Sequence, residues 1–291
     1  MREDLRQRLA SSDRTLVADG ATGTELQARG MPPGGCSELW CVERPDAVRD
    51  IAATYAAAGS DLVYTNSFGA NRWRLAHYGL ADRLTELNEA AARLAREGAG
   101  EEVYVIGSMG PSGDFLEPLG ELSAAEVSAA YGQQAQALLA GGADALVLET
   151  FAALEEIEAA ALGVRAVTDA PLLASLTYGS SLRTMMGVTP DQAAATLAAA
   201  GVDVLGLNCG DDIAVVEPIL AAYAEAGRPL FAKPNAGLPQ MVEGELTWPI
   251  SPAEFAALAA GWATAGARIV GGCCGTGPAH IRALAAMVRG G

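Results

Sequence analysis

One alternation runs the length of this 291-residue chain: short apolar runs close in polar or glycine-rich residues, and alanine-rich stretches with helical character follow. The runs are Thr15–Ala18, Asp61–Thr65, Val103–Gly107, Ala145–Leu148, Leu172–Leu176, Val204–Leu207, Leu230–Ala232 and Arg268–Val270. They show little polar-apolar alternation, as expected of parallel strands buried on both faces. Several intervening stretches carry helix-start signals. Ser123-Ala-Ala-Glu126 has capping-box spacing, Ser251-Pro-Ala-Glu254 adds proline at the first helical position, and Thr189-Pro190 opens another helix in the same way. Eight strand-helix units in a chain of this size predict an α/β fold, a (β/α)8 TIM barrel forming a single domain over residues 1–291. A doubly wound open sheet is the alternative.

A barrel collects its reactive groups just after the strands. The successive run ends are Asp19-Gly-Ala-Thr-Gly-Thr24, Thr65-Asn-Ser-Phe68, Ser108-Met-Gly-Pro-Ser-Gly113, Glu149-Thr150, Thr177-Tyr178, Asn208-Cys-Gly210, Lys233-Pro-Asn235 and Gly271-Gly-Cys-Cys-Gly275. Cys209 and the adjacent pair Cys273 and Cys274 therefore meet on one rim. Glycines on both sides let the backbone turn both sulfurs of the pair toward one point. Three thiols framed in this way point to a metal centre, zinc, with an open fourth position. The competing readings are small buried hydrophobes, a vicinal disulfide or a redox pair. Cys36 and Cys41 fit no standard zinc spacing and read as loop or packing residues. His77 and His280 read as surface or packing residues.

Three cysteinates on zinc leave a local charge of about −1, and the metal lowers the pKa of a thiol placed in the fourth position. Sulfur ligands suit a nucleophilic thiol, whereas histidine or carboxylate ligands with bound water suit hydrolysis. Neither His-Glu-x-x-His nor Gly-x-Ser-x-Gly occurs. The chemistry indicated is thiol alkylation. A zinc- or thiol-binding protein without methyl transfer is the reading from another class, and metal stoichiometry separates the two. The formal charge of −16 disfavours nucleic acid. No uninterrupted apolar stretch spans a membrane, and the charged N-terminus lacks an apolar signal core, so a cytoplasmic location is expected.

Taken in order, Asp19-Gly-Ala-Thr-Gly-Thr-Glu-Leu26, Thr65-Asn-Ser-Phe-Gly-Ala-Asn71, Gly110-Pro-Ser-Gly113 with Pro118-Leu-Gly120, Leu148-Glu-Thr150, Gly206-Leu-Asn-Cys-Gly210, Pro234-Asn-Ala-Gly237 and Gly271-Gly-Cys-Cys-Gly-Thr-Gly277 resemble the zinc-dependent homocysteine S-methyltransferases. The pattern is closest to the homocysteine-binding module of cobalamin-dependent methionine synthase, and it runs from about Leu16 to the C-terminus. The resemblance implies a (β/α)8 barrel with Cys209, Cys273 and Cys274 as the zinc ligands and the catalytic centre. It implies Asn235 as a residue that holds the metal when the thiol is absent. Asp19 and Glu149 become the acids near the homocysteine ammonium. The loop residues Ala21, Thr22 and Thr24 meet the substrate carboxylate, and Asn66 joins the substrate-binding set.

The resemblance also bears on the methyl donor. Betaine-using relatives carry an aromatic cage, where this chain has Phe68-Gly69 and Glu149-Thr150, and Trp40 alone makes no cage. The favoured donor is a methyl-corrinoid carried on a separate corrinoid protein, reaching a face left open by short strand-end loops. S-methylmethionine or S-adenosylmethionine is the runner-up. The expected partner molecule is homocysteine or a related thiol.

Overall fold

The eight apolar runs become eight parallel strands because each offers apolar side chains to both faces. In the computed structural model, which describes residues 3–11, 14–242 and 245–290, these are β1 (Leu16–Val17), β2 (Leu62–Tyr64), β3 (Tyr104–Met109), β4 (Ala145–Phe151), β5 (Leu172–Leu176), β6 (Val204–Cys209), β7 (Leu230–Pro234) and β10 (Ala267–Val270). A two-stranded antiparallel hairpin, β8 (Gln240–Val242) and β9 (Glu245–Thr247), stands apart from them. The eight-stranded sheet runs β1-β10-β7-β6-β5-β4-β3-β2. A parallel bridge from Ala18 to Leu62 joins its two edges, so the sheet is a (β/α)8 barrel. Met1, Arg2 and Gly291, at the ends of the expected domain, lie outside the described residues.

Neighbouring strand residues point to opposite sides. Leu16, Leu62, Ile106, Val147, Leu173, Val204 and Ile269 form the barrel interior. Val17, Val63, Val105, Leu146, Leu172 and Leu205 pack outward in the layer shared with the helices. Leu5 and Leu9 of the N-terminal helix Leu5–Ser11 join the interior cluster, and the Tyr104 hydroxyl donates to the Glu3 carbonyl at 2.9 Å. The expected helix starts are present: Ser123, Thr189 and Ser251 each complete a capping box, with Glu126, Gln192 and Glu254.

The N-terminal end of the barrel is stitched by a repeated Gly-x-Asp. Gly59, Gly142 and Gly201 leave their helices with φ of 107°, 101° and 82°, a region open to glycine. Two residues on, Asp61, Asp144 and Asp203 accept the backbone N–H of Val17, Val105 and Leu172 at 2.9, 2.7 and 2.9 Å. Arg14, Arg96 and Arg165 pair with the same carboxylates. Each stitch ties the start of an even strand to the odd strand before it.

At the opposite end, β3, β4, β6 and β7 run past the predicted limits, which places Glu149, Thr150, Asn208, Cys209 and Lys233 within strands. The strand-end loops are not short, contrary to expectation. Those after β3, β5 and β7, covering 110–123, 177–189 and 235–251, are long, and the last contains the hairpin. No helix among the described residues is long and apolar enough to cross a membrane.

Candidate metal centre and substrate pocket

Cys209 is the last residue of β6 and has φ of 57°, an uncommon value for a residue with a side chain. Gly210 follows with φ of 89°. This turn brings the Cys209 sulfur to 2.8 Å from that of Cys273, just beyond β10. The sulfurs of Cys209, Cys273 and Cys274 all lie within 4.8 Å of one another. Asn235, after β7, ties the two loops together: its Nδ2 donates to the Gly210 carbonyl at 2.8 Å, and its Oδ1 accepts the Cys274 N–H at 3.0 Å. Cys273 N–H donates to the Pro234 carbonyl at 2.9 Å. The indole of Trp248 covers Gly275 so closely that a Cβ there would lie 2.1 Å from the ring.

The donor set suits zinc. Without metal, the neighbouring thiols of Cys209 and Cys273 stabilise the Cys274 thiolate and hold it well below the ordinary thiol range, while the same contacts and burial raise Cys209. Cys273 is raised as well, so of the three Cys274 is the one held toward the thiolate, the form that borderline-soft zinc binds. Cys209, Cys273 and Cys274 are the residues that would hold a zinc ion here, each through its sulfur. The remaining cysteines are separate: Cys41 is buried in the outer core, and Cys36 donates to Glu38 at 3.4 Å. His280 accepts from Gly277 N–H at 3.3 Å and its other ring nitrogen faces the Ile250 carbonyl at 3.0 Å, a packing role.

The sulfurs border a cavity of about 380 Å³ at the C-terminal end of the barrel. Ala21, Thr22, Thr24, Asn66 and Glu149 line it together with all three cysteines. The helix Thr22–Ala28 starts here without a side-chain cap. Ala21 N–H is taken by the Thr276 carbonyl at 2.9 Å, so the first-turn N–H groups from Thr22 onward are those left to meet an anion. Asn66 Nδ2 donates to the Ser37 carbonyl at 2.7 Å, anchoring the loop after β1 to the wall.

Two buried acids differ. Glu149 opens on the cavity. One carboxylate oxygen accepts from the Ser108 hydroxyl at 2.5 Å, and the other faces Asn208 Nδ2 at 3.5 Å. Burial pushes it up to about 7, against the pull of Lys233. Asp19 and Asn235 are not among the lining residues. Asp19 is 1% exposed and accepts the Tyr64 N–H at 2.6 Å and the Lys233 ammonium. Burial raises it, and Lys233 opposes that rise.

Sequence reasoning left Lys233 and Asn208 without roles. Lys233 is 3% exposed and lines the cavity, and a lysine closing the buried run Leu230-Phe-Ala was the available signal. Asn208 Nδ2 donates to Thr150 Oγ1 at 2.7 Å, and its Oδ1 accepts from Thr150 N–H at 2.8 Å and Ser175 Oγ at 2.7 Å. These bonds hold Thr150 at φ of 69°, a strained value for a β-branched residue. Thr150 and Cys209 thus share one strained corner, with Asn208 between them.

A sequence model of the homocysteine S-methyltransferase family matches residues 16–288. Methionine synthases from Mycobacterium tuberculosis (strain ATCC 25618 / H37Rv) and Mycobacterium leprae (strain TN) are each 39% identical over 95% and 98% of this chain. The chain spans about a quarter of their length, 25% in both. Among solved structures, the metallated form of the homocysteine methyltransferase MmuM from Escherichia coli superposes with a TM-score of 0.82 at 30% identity, covering 97% of this chain and 99% of that one.

Proposed function

The chain belongs to the homocysteine S-methyltransferase family, and on that premise we propose that it binds zinc through Cys209, Cys273 and Cys274 and methylates homocysteine to methionine. The observation that carries this reading is the trio of sulfurs within 4.8 Å bordering a cavity that also holds a buried carboxylate. Bound zinc supplies a Lewis acid that lowers the pKa of a ligated thiol and keeps its sulfur nucleophilic at neutral pH.

The chain's own residues do the positioning. Glu149, fixed by Ser108 and Asn208, meets the substrate ammonium. The N–H groups and hydroxyls of Thr22 and Thr24 meet the carboxylate, with Ala21 and Asn66 shaping that wall. Asp19 acts beside Glu149 through the charge it shares with Lys233. Asn235 keeps the two cysteine loops in register, which leaves its amide next to the metal position when no thiol is bound. Residues 1–291 form one homocysteine-binding barrel in this reading. Five free thiols suit a reducing cytoplasm.

The favoured donor is a methyl-corrinoid. Two observations support it: the higher identity to methionine synthases, and the apolar side chains that the long rim loops expose, Phe115, Leu119, Met185, Met241 and Leu246. A small sulfonium, S-methylmethionine or S-adenosylmethionine, is the second reading, favoured by the modest cavity volume of about 380 Å³. The test is to supply the zinc-loaded protein with homocysteine and each donor in turn, following methionine and the cobalamin spectrum. Rapid methionine formation from S-methylmethionine with methylcobalamin unchanged overturns the corrinoid reading.

A further inference from the structure

Among the described residues, the three sulfurs face one N–H donor, the side-chain amide of Asn208. Asn208 is 1% exposed on β6, one residue before Cys209. The orientation of its amide is fixed by its neighbours. Oδ1 accepts the Thr150 N–H at 2.8 Å and the Ser175 hydroxyl at 2.7 Å. A backbone N–H can only donate, so the amide oxygen faces that side and the nitrogen faces the other. One Nδ2 hydrogen goes to Thr150 Oγ1 at 2.7 Å. The second has three acceptors around it: Glu149 Oε2 at 3.5 Å, Cys209 Sγ at 3.6 Å and Cys273 Sγ at 4.0 Å.

Acceptor type and distance decide among them. Hydrogen bonds from N–H to oxygen span about 2.7–3.2 Å, so Glu149 stands beyond the ordinary range. Sulfur is a larger and softer acceptor, for which the 3.6 Å to Cys209 is a bonding distance and the 4.0 Å to Cys273 is the outer edge. A neutral thiol accepts weakly, and charge on an acceptor strengthens the bond. The bond to Cys209 is therefore strongest when that sulfur is a thiolate, the form that ligates a metal. Backbone strain marks the same place. Thr150 and Cys209, the residues bracketing this amide, hold φ of 69° and 57°, values that persist where the surrounding bonds over-determine them.

We infer that Asn208 is a positioning residue of the metal centre: one Nδ2 hydrogen bonds to the Cys209 sulfur, and the other bonds of the amide lock that sulfur to the end of β4, where Thr150 follows Glu149. This rests on the zinc reading above. Asn208 acts through Cys209 and Thr150, and one amide thereby ties a metal ligand to the strand that carries the buried acid. Residues that support a ligand in this way typically change metal affinity by about 10- to 100-fold.

The test uses the full chain as wild type, Asn208→Ala and Ser175→Ala. Isotope-labelled wild type is loaded with an NMR-active cadmium isotope in place of zinc. The spectrum is searched for a scalar coupling between the metal and an Asn208 Nδ2 proton, which is transmitted only through an N–H···S bond. Zinc affinity of all three proteins is measured by competition with a chromophoric chelator. The coupling should be present. Asn208→Ala should bind zinc about 10- to 100-fold more weakly. Ser175→Ala removes one bond from Oδ1 and keeps both N–H donors, so it should bind zinc as wild type does. A missing coupling, unchanged zinc affinity in Asn208→Ala, or an equal loss in Ser175→Ala each overturns the assignment. If Asn208→Ala fails to fold, the coupling in wild type decides alone. Wild type that takes up neither zinc nor cadmium overturns the zinc reading and the assignment with it, whereas uptake without coupling overturns the role of Asn208 only.

Discussion

The two ends of this barrel solve the same packing problem in opposite ways. At the N-terminal end one device recurs: an aspartate after a left-handed glycine takes a strand N–H and an arginine, as Asp61, Asp144 and Asp203 each do. Each of these aspartates is paired with an arginine, and the left-handed residues before them are glycines. The C-terminal end repeats nothing. It holds a buried ion pair, a buried carboxylate, the left-handed non-glycine residues Thr150, Leu182 and Cys209, and the Tyr64 phenol with no partner among the described residues, at the end that carries the three thiols. Each of these lowers stability. Their concentration at one end shows where the fold tolerates cost for the sake of chemistry, and the regular end offsets it.

The comparison breaks if variants at the two ends behave alike. The largest contrast is expected from Cys273→Ser, which removes one of three proposed ligands. Zinc affinity should fall more than about 100-fold, beyond the loss typical of a supporting residue, while the barrel stays folded. Full zinc content by elemental analysis would refute the ligand set. Next comes Glu149→Gln, which keeps the shape and removes the charge. Homocysteine binding should weaken by about 1–3 kcal/mol, and a thiol without the amino group should hardly respond. Equal losses for both thiols would make Glu149 structural.

Asp144→Ala probes the other end. It leaves Val105 N–H and Arg96 without their shared acceptor and should cost about 2 kcal/mol in denaturant unfolding, with KM for homocysteine unchanged. A change in KM with stability intact would erase the division between the ends. The last effect is a pH slope. Glu149 titrates near 4.5 when unfolded and about 7 when folded, so between those values the native state binds more protons than the unfolded chain. Stability of the metal-free protein should therefore fall as pH rises through that window, and Glu149→Gln should flatten the slope. A wild-type stability that rises through the window would contradict the burial of this carboxylate.

The division also explains what the sequence reveals. Strands buried on both faces leave continuous apolar runs, so their positions are legible, and the capping boxes at Ser123, Thr189 and Ser251 mark helix starts through local hydrogen bonds alone. The cysteines stand out because glycine frames them. The pairing of Asp19 with Lys233 is not legible, since two residues far apart meet only when the ring closes. Strand ends were read short because Glu149, Asn208 and Lys233 are polar, yet they continue the ladder as buried site residues. Loop lengths are illegible for a different reason: the strands of the hairpin β8–β9 are three residues each, too short to show a period.

The central claim is an open three-sulfur zinc centre that accepts the substrate thiol. X-ray absorption at the zinc edge counts sulfur neighbours directly. The account predicts three protein sulfurs at about 2.3 Å in the loaded protein and four once homocysteine is added. Four sulfurs before homocysteine, or three both before and after, would contradict it.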